Sequence, residues 1–293
     1  MTILVKDIAE LRKMRSSWRM EGKTVGVVPT MGYLHKGHQS LIETARSQND
    51  VVVVTDFLNP IQFGPSEDLS KYPRDLEKDF ELVESNGADV LFYPSVKEMY
   101  GDDFSEHAKS LTMVVPPIGL SSKLCGAKRP GHFEGVCTVV AKIFNIAEPE
   151  RAYFGQKDAQ QLNIIKRMVK DTNRNVEIVG CPTFREADGL AMSSRNVYLN
   201  QAERSAAQVL YKALVEADSR LKSGQNDAHA LVEYVKEVIT SEPLAKIDYV
   251  SLVNPDTLED LEIIETPALL AIAVFIGEDV HRTRLIDNIV LHA

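Results

Sequence analysis

Apolar and polar positions follow two different rhythms along this 293-residue chain. In roughly the first 180 residues, short apolar runs bounded by turn formers alternate with stretches whose apolar residues recur every three to four positions. The runs at 25–28, 51–55, 90–93, 152–154 and 176–179 read as buried strands. The stretches at 40–45, 74–85, 138–147 and 159–169 read as helices. The opening MTILVKDIAELRKM reads as a short strand and then a helix from near Asp7, with Ile8, Leu11, Arg15 and Trp18 on one face. This succession predicts an α/β fold with a doubly wound parallel sheet. The rhythm breaks over 94–135, where Pro116, Pro117, Gly119, Gly126, Pro130 and Gly131 predict mostly loop. A connection of that length is usually functional or mobile. Past Pro182 the order changes to helices over 201–223 and 228–240, the first opened by a capping-box-like pair, Asn200 and Glu203. Strands over 247–253, 269–275 and 285–291 follow. Helices followed by strands predict a second, smaller α+β domain, with the boundary near 180: 1–180 and 181–293.

Composition narrows the class. At 44% apolar and 26% charged residues the chain reads as an ordinary globular protein. A net charge of −9 disfavours nucleic acid or an anionic membrane as partner, so an anionic ligand would need positive charge gathered locally. The N-terminus has no signal-peptide apolar region, and the longest apolar run, 268–276, is too short to span a bilayer. Three widely spaced cysteines, Cys125, Cys137 and Cys181, support neither a disulfide framework nor a zinc ribbon, and the expected compartment is the cytoplasm.

Candidate chemistry sits at the junctions between elements. MGYLHKGH, Met31 to His38, follows the strand at 25–28 and precedes a helix. Histidines at i and i+3 suit metal ligation, but no Asp, Glu or Cys nearby completes a set. Ordinary surface histidines are a second reading. Phosphate binding is the third, because glycines let backbone approach an anion and helix-start N–H groups donate to it. In FLNPIQFG, Gln62 is an amide in an apolar frame, either a loop residue bonded to backbone or a ligand contact. SSKLCGAKRPGHFEGV concentrates Lys123, Lys128, Arg129 and His132 in a Gly- and Pro-rich segment, either a solvated loop or an anion lid. In FGQKDAQQL, Asp158 and Gln161 have the spacing of a helix cap and its third residue. Lys157 stands just before that helix start, where a cation is disfavoured unless an anion lies between. DGLAMSSRN puts Ser193, Ser194 and Arg195 after a glycine turn and resembles the KMSKS loop of some tRNA synthetases. Each motif alone is weak, but five at element junctions, four of them cationic or potentially so, point together to a polyanionic ligand.

PTMGYLHKGH, NPIQF, KYPR, RPGHFEGV, AYFGQKDAQQL and DGLAMSSRN, in this order over residues 29–196, resemble the successive signatures of the pantothenate synthetase (pantoate–β-alanine ligase) family. The resemblance implies a Rossmann-like sheet of the HxGH nucleotidyltransferase kind. It implies an ATP-dependent ligase that condenses (R)-pantoate with β-alanine through pantoyl adenylate, releasing AMP and diphosphate, with Mg2+ accompanying ATP. It also implies a homodimer. Carried onto this chain, Met31, Gly32, Tyr33, Leu34, His35, Lys36, Gly37 and His38 would contact ATP, with His38 resembling the proton donor. Gly155, Gln156, Lys157 and Asp158, the backbone of Phe184, and Met192, Ser193, Ser194 and Arg195 would also bind ATP. The catalytic set would be His38, His35, Lys157 and Arg195. Gln62 and Gln161 would hold pantoate, Gln62 then β-alanine, and Arg129 would reach phosphate from a mobile loop. The metal ligands are not legible. Asp56 departs from the pattern, standing where the family usually has an apolar residue. A nucleotidylyltransferase of the same fold is the alternative, and a non-catalytic nucleotide-binding protein a third reading. Pantoate-dependent ATP–pyrophosphate exchange separates the three.

Overall fold

The computed structural model describes residues 1–65, 67–102, 104, 111–278 and 282–292. Its first layer is a six-stranded, wholly parallel sheet in the order β1-β4-β3-β2-β5-β6. The strands are β1 (Ile3–Val5), β2 (Val25–Thr30), β3 (Val51–Asp56), β4 (Val90–Phe92), β5 (Arg151–Gly155) and β6 (Glu177–Cys181). Successive side chains of a strand point to opposite faces, and the continuous valine run of β3 serves both. Val51 and Val53 pack with the core on one face, Val52 and Val54 with the core on the other. The helices divide accordingly. α1 (Ile8–Met20), together with a later pair, His132–Ala147 and Ala159–Asp171, covers the first face. α2 (Lys36–Gln48) and α3 (Leu76–Ser85) cover the second.

The expected elements form, with shifted ends. Asp7 caps α1, accepting from the Glu10 N–H at 3.0 Å. α3 starts at Leu76, capped by Asp75. The main difference lies in the segment expected to be loop over 94–135, part of which falls outside the described residues. Among its described residues lie short helices α4 (Val96–Tyr100), α5 (Ile118–Ser121) and α6 (Leu124–Lys128), and α7 (His132–Ala147) begins six residues before its expected start. The turns there are held by distant side chains: the Gln160 amide donates to Leu120 O and Lys123 O at 2.8 Å and accepts from Cys125 N–H at 3.0 Å. No local periodicity reports such a partner. α8 is Ala159–Asp171.

The remaining chain forms α9 (Gln201–Ala206), α10 (Val209–Lys222) and α11 (Ala228–Thr240) over an antiparallel sheet, β7 (Ala245–Val253), β8 (Ala268–Ile276) and β9 (Thr283–Leu291). The single helix expected over 201–223 is thus two, broken at 207–208. Asn200 and Glu203 form the expected capping box. β8 is the middle strand. Its Leu270, Ile272, Val274 and Ile276 pack with the α10 and α11 core, while Leu269 and Ala271 join the core of the large sheet. That two-sided burial explains its unbroken apolar run. Among the described residues no helix is long and apolar enough to cross a membrane.

Candidate active site

In a doubly wound sheet, ligands bind outside the carboxyl ends of the strands, where the strand order reverses. Here the reversal lies between β2 and β5: α2, which follows β2, covers one face, and α8, which follows β5, covers the other. The cleft at this place is lined by Met31, His35, Gly37 and His38 from the segment after β2, and by Gln62 from the segment after β3. Gly155, Lys157, Asp158 and Gln161 line it from the end of β5 and the start of α8. Phe184, Met192, Ser193, Ser194 and Arg195 line it from beyond β6. A cavity of about 760 Å³ adjoins it, sharing Lys157, Asp158, Gln161, Ser193 and Arg195 and adding Arg129.

The two histidines are fixed by the start of α2. His35 is its N-cap, and its Nδ1 accepts the Gly37 N–H at 3.1 Å. His38 Nδ1 accepts the His35 N–H at 3.2 Å, closing a capping box made of imidazoles. The rings lie 4.1 Å apart. Burial, with Lys157 next, lowers His35 to about 4. Burial, His35 and Lys157 hold His38 well below the usual range. Both rings are therefore neutral at pH 7. With each Nδ1 accepting from backbone, the proton of each resides on Nε2, a donor for the cleft.

Gln62 is buried and held from two sides. Its Oε1 accepts from Asn59 Nδ2 at 2.9 Å, and its Nε2 lies 2.8 Å from Met31 Sδ. Asn59 is oriented in turn by the Tyr100 hydroxyl at 2.7 Å and by Gly135 O at 3.1 Å. A Cβ at Gly135 would press on the backbone of Ile61 and Gln62, at 2.5–2.7 Å, so a glycine lets α7 pack against this turn. His132 Nε2 meets Arg129 Nη1 at 3.0 Å; a guanidinium only donates, so His132 Nδ1 carries the proton and donates to Gln62 O at 2.8 Å.

Two expected phosphate contacts are paired with carboxylates. Arg129 makes a two-pronged ion pair with Glu67, at 2.9 and 2.5 Å, and Arg195 another with Asp68, both at 3.0 Å. Lys157 is 3.8 Å from the Asp158 carboxylate. Asp158 makes no side-chain cap on α8, contrary to the expected capping role. Ser193 Oγ instead accepts the Arg195 N–H at 3.2 Å, and Ser194 Oγ donates to Tyr33 O at 3.2 Å, tying this segment to the histidine loop.

Gly32, Tyr33, Leu34, Lys36 and Gln156 line neither cavity. Three residues escaped the sequence reading as parts of the site. Asp79 of α3 accepts the Tyr33 and Leu34 N–H groups, both at 2.6 Å. Asn59 orients Gln62, and Asn288 of β9 donates to Gln156 O and Lys157 O at 3.0 and 2.8 Å. Asn59 stands inside FLNPIQFG, where it reads as a turn former. Asp79 and Asn288 are remote in sequence and carry no local signal.

A family model described as pantoate-beta-alanine ligase matches residues 3–290. The chain belongs to this family. Within the pantoate–β-alanine ligase family it is 51% identical over 291 residues to the pantothenate synthetase of Caldicellulosiruptor bescii, spanning 99% of both chains. It is 53% identical over 287 residues to that of a Thermoanaerobacter species, spanning 98% of both. Among solved structures, pantothenate synthetase from Thermus thermophilus superposes with a TM-score of 0.91 at 43% identity, over 100% of both chains. Pantoate-beta-alanine ligase from Francisella tularensis, complexed with beta-gamma ATP and beta-alanine, superposes at 0.78 and 34% identity, over 99% of this chain and 98% of that one.

Proposed function

We propose that the protein joins (R)-pantoate to β-alanine at the expense of ATP, forming pantothenate, AMP and diphosphate. The observation that carries this reading is the convergence on one cleft of two neutral imidazoles, Lys157, two glutamines and the MSSR segment in a chain of this family. In the first step a pantoate carboxylate oxygen attacks the α-phosphorus of ATP, the bridging bond to the β-phosphate breaks, and diphosphate leaves. In the second the β-alanine amine attacks the acyl carbon, loses a proton, and AMP departs with the former carboxylate oxygen.

Charge in the first step grows on phosphate oxygens. Donors already aimed there lower the barrier more than they strengthen ground-state binding. His35 and His38 supply Nε2–H groups, with His38 as the proton donor, and Lys157 supplies a full charge. Gln62 and Gln161 hold pantoate, and Gln62 then meets β-alanine. Gly155 to Asp158, Phe184 and Met192 to Arg195 surround the nucleotide. Arg129 and Arg195 exchange Glu67 and Asp68 for phosphate when ATP enters. The segment from Met31 to His38, with Gly32, Tyr33, Leu34 and Lys36 in support, frames the triphosphate. No nucleophilic side chain is required.

Among the described residues no three or more His, Cys, Asp or Glu side chains cluster as a metal cage. Mg2+ accompanies ATP, held mainly by the phosphates, as this ion usually is. The first domain comprises 1–180 and the second, 181–293, closes over the cleft. The protein acts as a homodimer in the cytoplasm, where its three free, buried cysteines stay reduced. The test is ATP–pyrophosphate exchange: it should require pantoate. Exchange without pantoate would favour nucleotidyl transfer to another acceptor, and no exchange would leave only nucleotide binding.

A further inference from the structure

Asp56 ends β3, pairs in register with Thr30 at the end of β2, and is 5% exposed. Asp79 approaches from α3 and is 2% exposed. Both carboxyls converge on residues 32–34, Asp56 against Gly32 and Asp79 on the next two N–H groups, and two neighbouring buried carboxyls favour one shared proton over two charges. They meet beneath the loop that carries the histidines. Asp79 takes the Tyr33 and Leu34 N–H groups, both at 2.6 Å, at a point where the backbone turns left-handed at Gly32 (φ +83°) and Tyr33 (φ +52°). The Asp56 carboxyl fills the space a side chain on residue 32 would need. An apolar side chain at 56 would fill space as well but could offer Asp79 no hydrogen bond.

We infer that Asp56 and Asp79 share one proton, and that this acid–carboxylate pair is the device that holds the 31–35 loop, and so the two histidines, in the ATP-binding arrangement. Asp56 is then a positioning residue, acting through Asp79. The proton belongs on Asp56, because Asp79 already accepts two backbone N–H bonds, the best local stabilisation for a negative charge. Burial, and next the neighbouring Asp79, raise Asp56 to about 7. Burial also raises Asp79, against the pull of the Leu34 and Tyr33 N–H groups. Among the described residues, Asp75 at the start of α3 also faces Asp79 and is itself bonded to Lys78 at 2.8 Å. Among the described residues no basic side chain bridges either carboxyl. Above neutral pH the shared proton leaves, two anions face each other, and the loop loses its anchor.

The inference rests on the reading that this loop binds ATP, and two measurements keep the two apart. The first is the affinity for a non-hydrolysable ATP analogue at pH 6 and pH 8.5, in the wild type and in Asp56→Asn, whose amide donates to Asp79 at every pH. The expected result is a several-fold weakening in the wild type from pH 6 to 8.5, and a ratio near one in the variant. An equal ratio in both overturns the inference. Absence of binding by the wild type at either pH overturns the ATP reading instead. The second measurement is the infrared spectrum. A carboxylic-acid band present at pH 6 and lost by pH 8.5 is expected in the wild type and missing from Asp56→Asn. Its absence from the wild type at pH 6 removes the shared proton whether or not ATP binds or the variant folds. A linked effect has a definite sign. The unfolded carboxyl ionises near pH ~4, so between that and pH 7 the folded state holds the extra proton and loses stability as pH rises. Asp56→Asn should therefore raise Tm more at pH 8 than at pH 5, relative to the wild type. The reverse order would count against the pair.

Discussion

His35 and His38 offer Nε2–H groups to the cleft, and the backbone of α2 decides this. Each Nδ1 accepts a main-chain N–H, so the ring nitrogen left for the cleft is a donor. Both rings should stay neutral through acid pH, since burial comes first among the causes lowering each, and His35 falls to about 4. Nitrogen chemical shifts of these imidazoles should remain those of the Nε2–H tautomer from pH 8 to pH 5. A ring titrating near the ordinary value of ~6.5 would contradict this. Linkage has the opposite sign to that of Asp56. A histidine kept neutral in the folded state costs stability as pH falls below ~6.5, because the unfolded chain then binds more protons. His132, lowered to about 4 by burial and then Arg129, adds to the same acid loss. Replacing His38 by Ala should lower the adenylation rate by roughly 10²–10³, with ATP affinity changed far less, the usual consequence of losing one preorganised donor. Rapid-quench measurement of adenylate formation beside analogue binding reads both quantities, and equal losses would make His38 a binding group only. The residue types were legible in HKGH. Their tautomer was not, because it depends on which nitrogen the helix start engages.

At the scale of elements, the turn that carries Gln62 is aimed by α4 and α7. Tyr100 holds Asn59 at 2.7 Å, and Asn59 holds Gln62 at 2.9 Å. Tyr100→Phe removes one hydrogen bond worth about 1 kcal/mol. KM for pantoate should rise by roughly fivefold at nearly constant kcat. A fall in kcat with KM unchanged would place the effect elsewhere. The basic segment from Ser121 to Gly131 reads as loop in the sequence because its glycines and prolines break any period. In the fold it holds helical turns tied down by Gln160 and by Arg129 on Glu67. Arg129 is thus held by Glu67, and any phosphate that it is to bind has to displace that carboxylate. Amide hydrogen exchange over 121–131 should slow when ATP and pantoate are added together. Equal protection with and without them would remove the lid role. The helix starts at Asp7 and Asn200 were legible because capping is local. The Asp158 cap does not form, since a 3₁₀ turn, Gln156–Asp158, leads into α8.

For the whole molecule, the sheet order is what makes one site out of distant motifs. Because β2 lies beside both β3 and β5, the segments that follow these strands open on the same edge. Asn288, from the antiparallel sheet, bonds the backbone of Gln156 and Lys157, so the small sheet helps set the end of β5. The whole reaction is tested by isotope. Pantoate labelled with ¹⁸O in its carboxylate should deliver label to AMP, seen by mass spectrometry. Label in inorganic phosphate, with ADP as co-product, would show attack at the γ-phosphate instead, and label in neither would mean that the carboxylate is not activated.

Periodicity and turn formers determined the kinds and order of the elements, because strand and helix periods are properties of neighbouring residues. The motifs determined the residue types of the site and, by resemblance, the family. What only the tertiary structure decided are relations between distant residues: Asp56 against Asp79, Asn59 between Tyr100 and Gln62, Arg129 and Arg195 on adjacent carboxylates. Each depends on burial and on a partner from another element. Asp56 is the plainest case: in the sequence it was an acid in an apolar run, and its meaning came from a second acid 23 positions away that folding brings alongside.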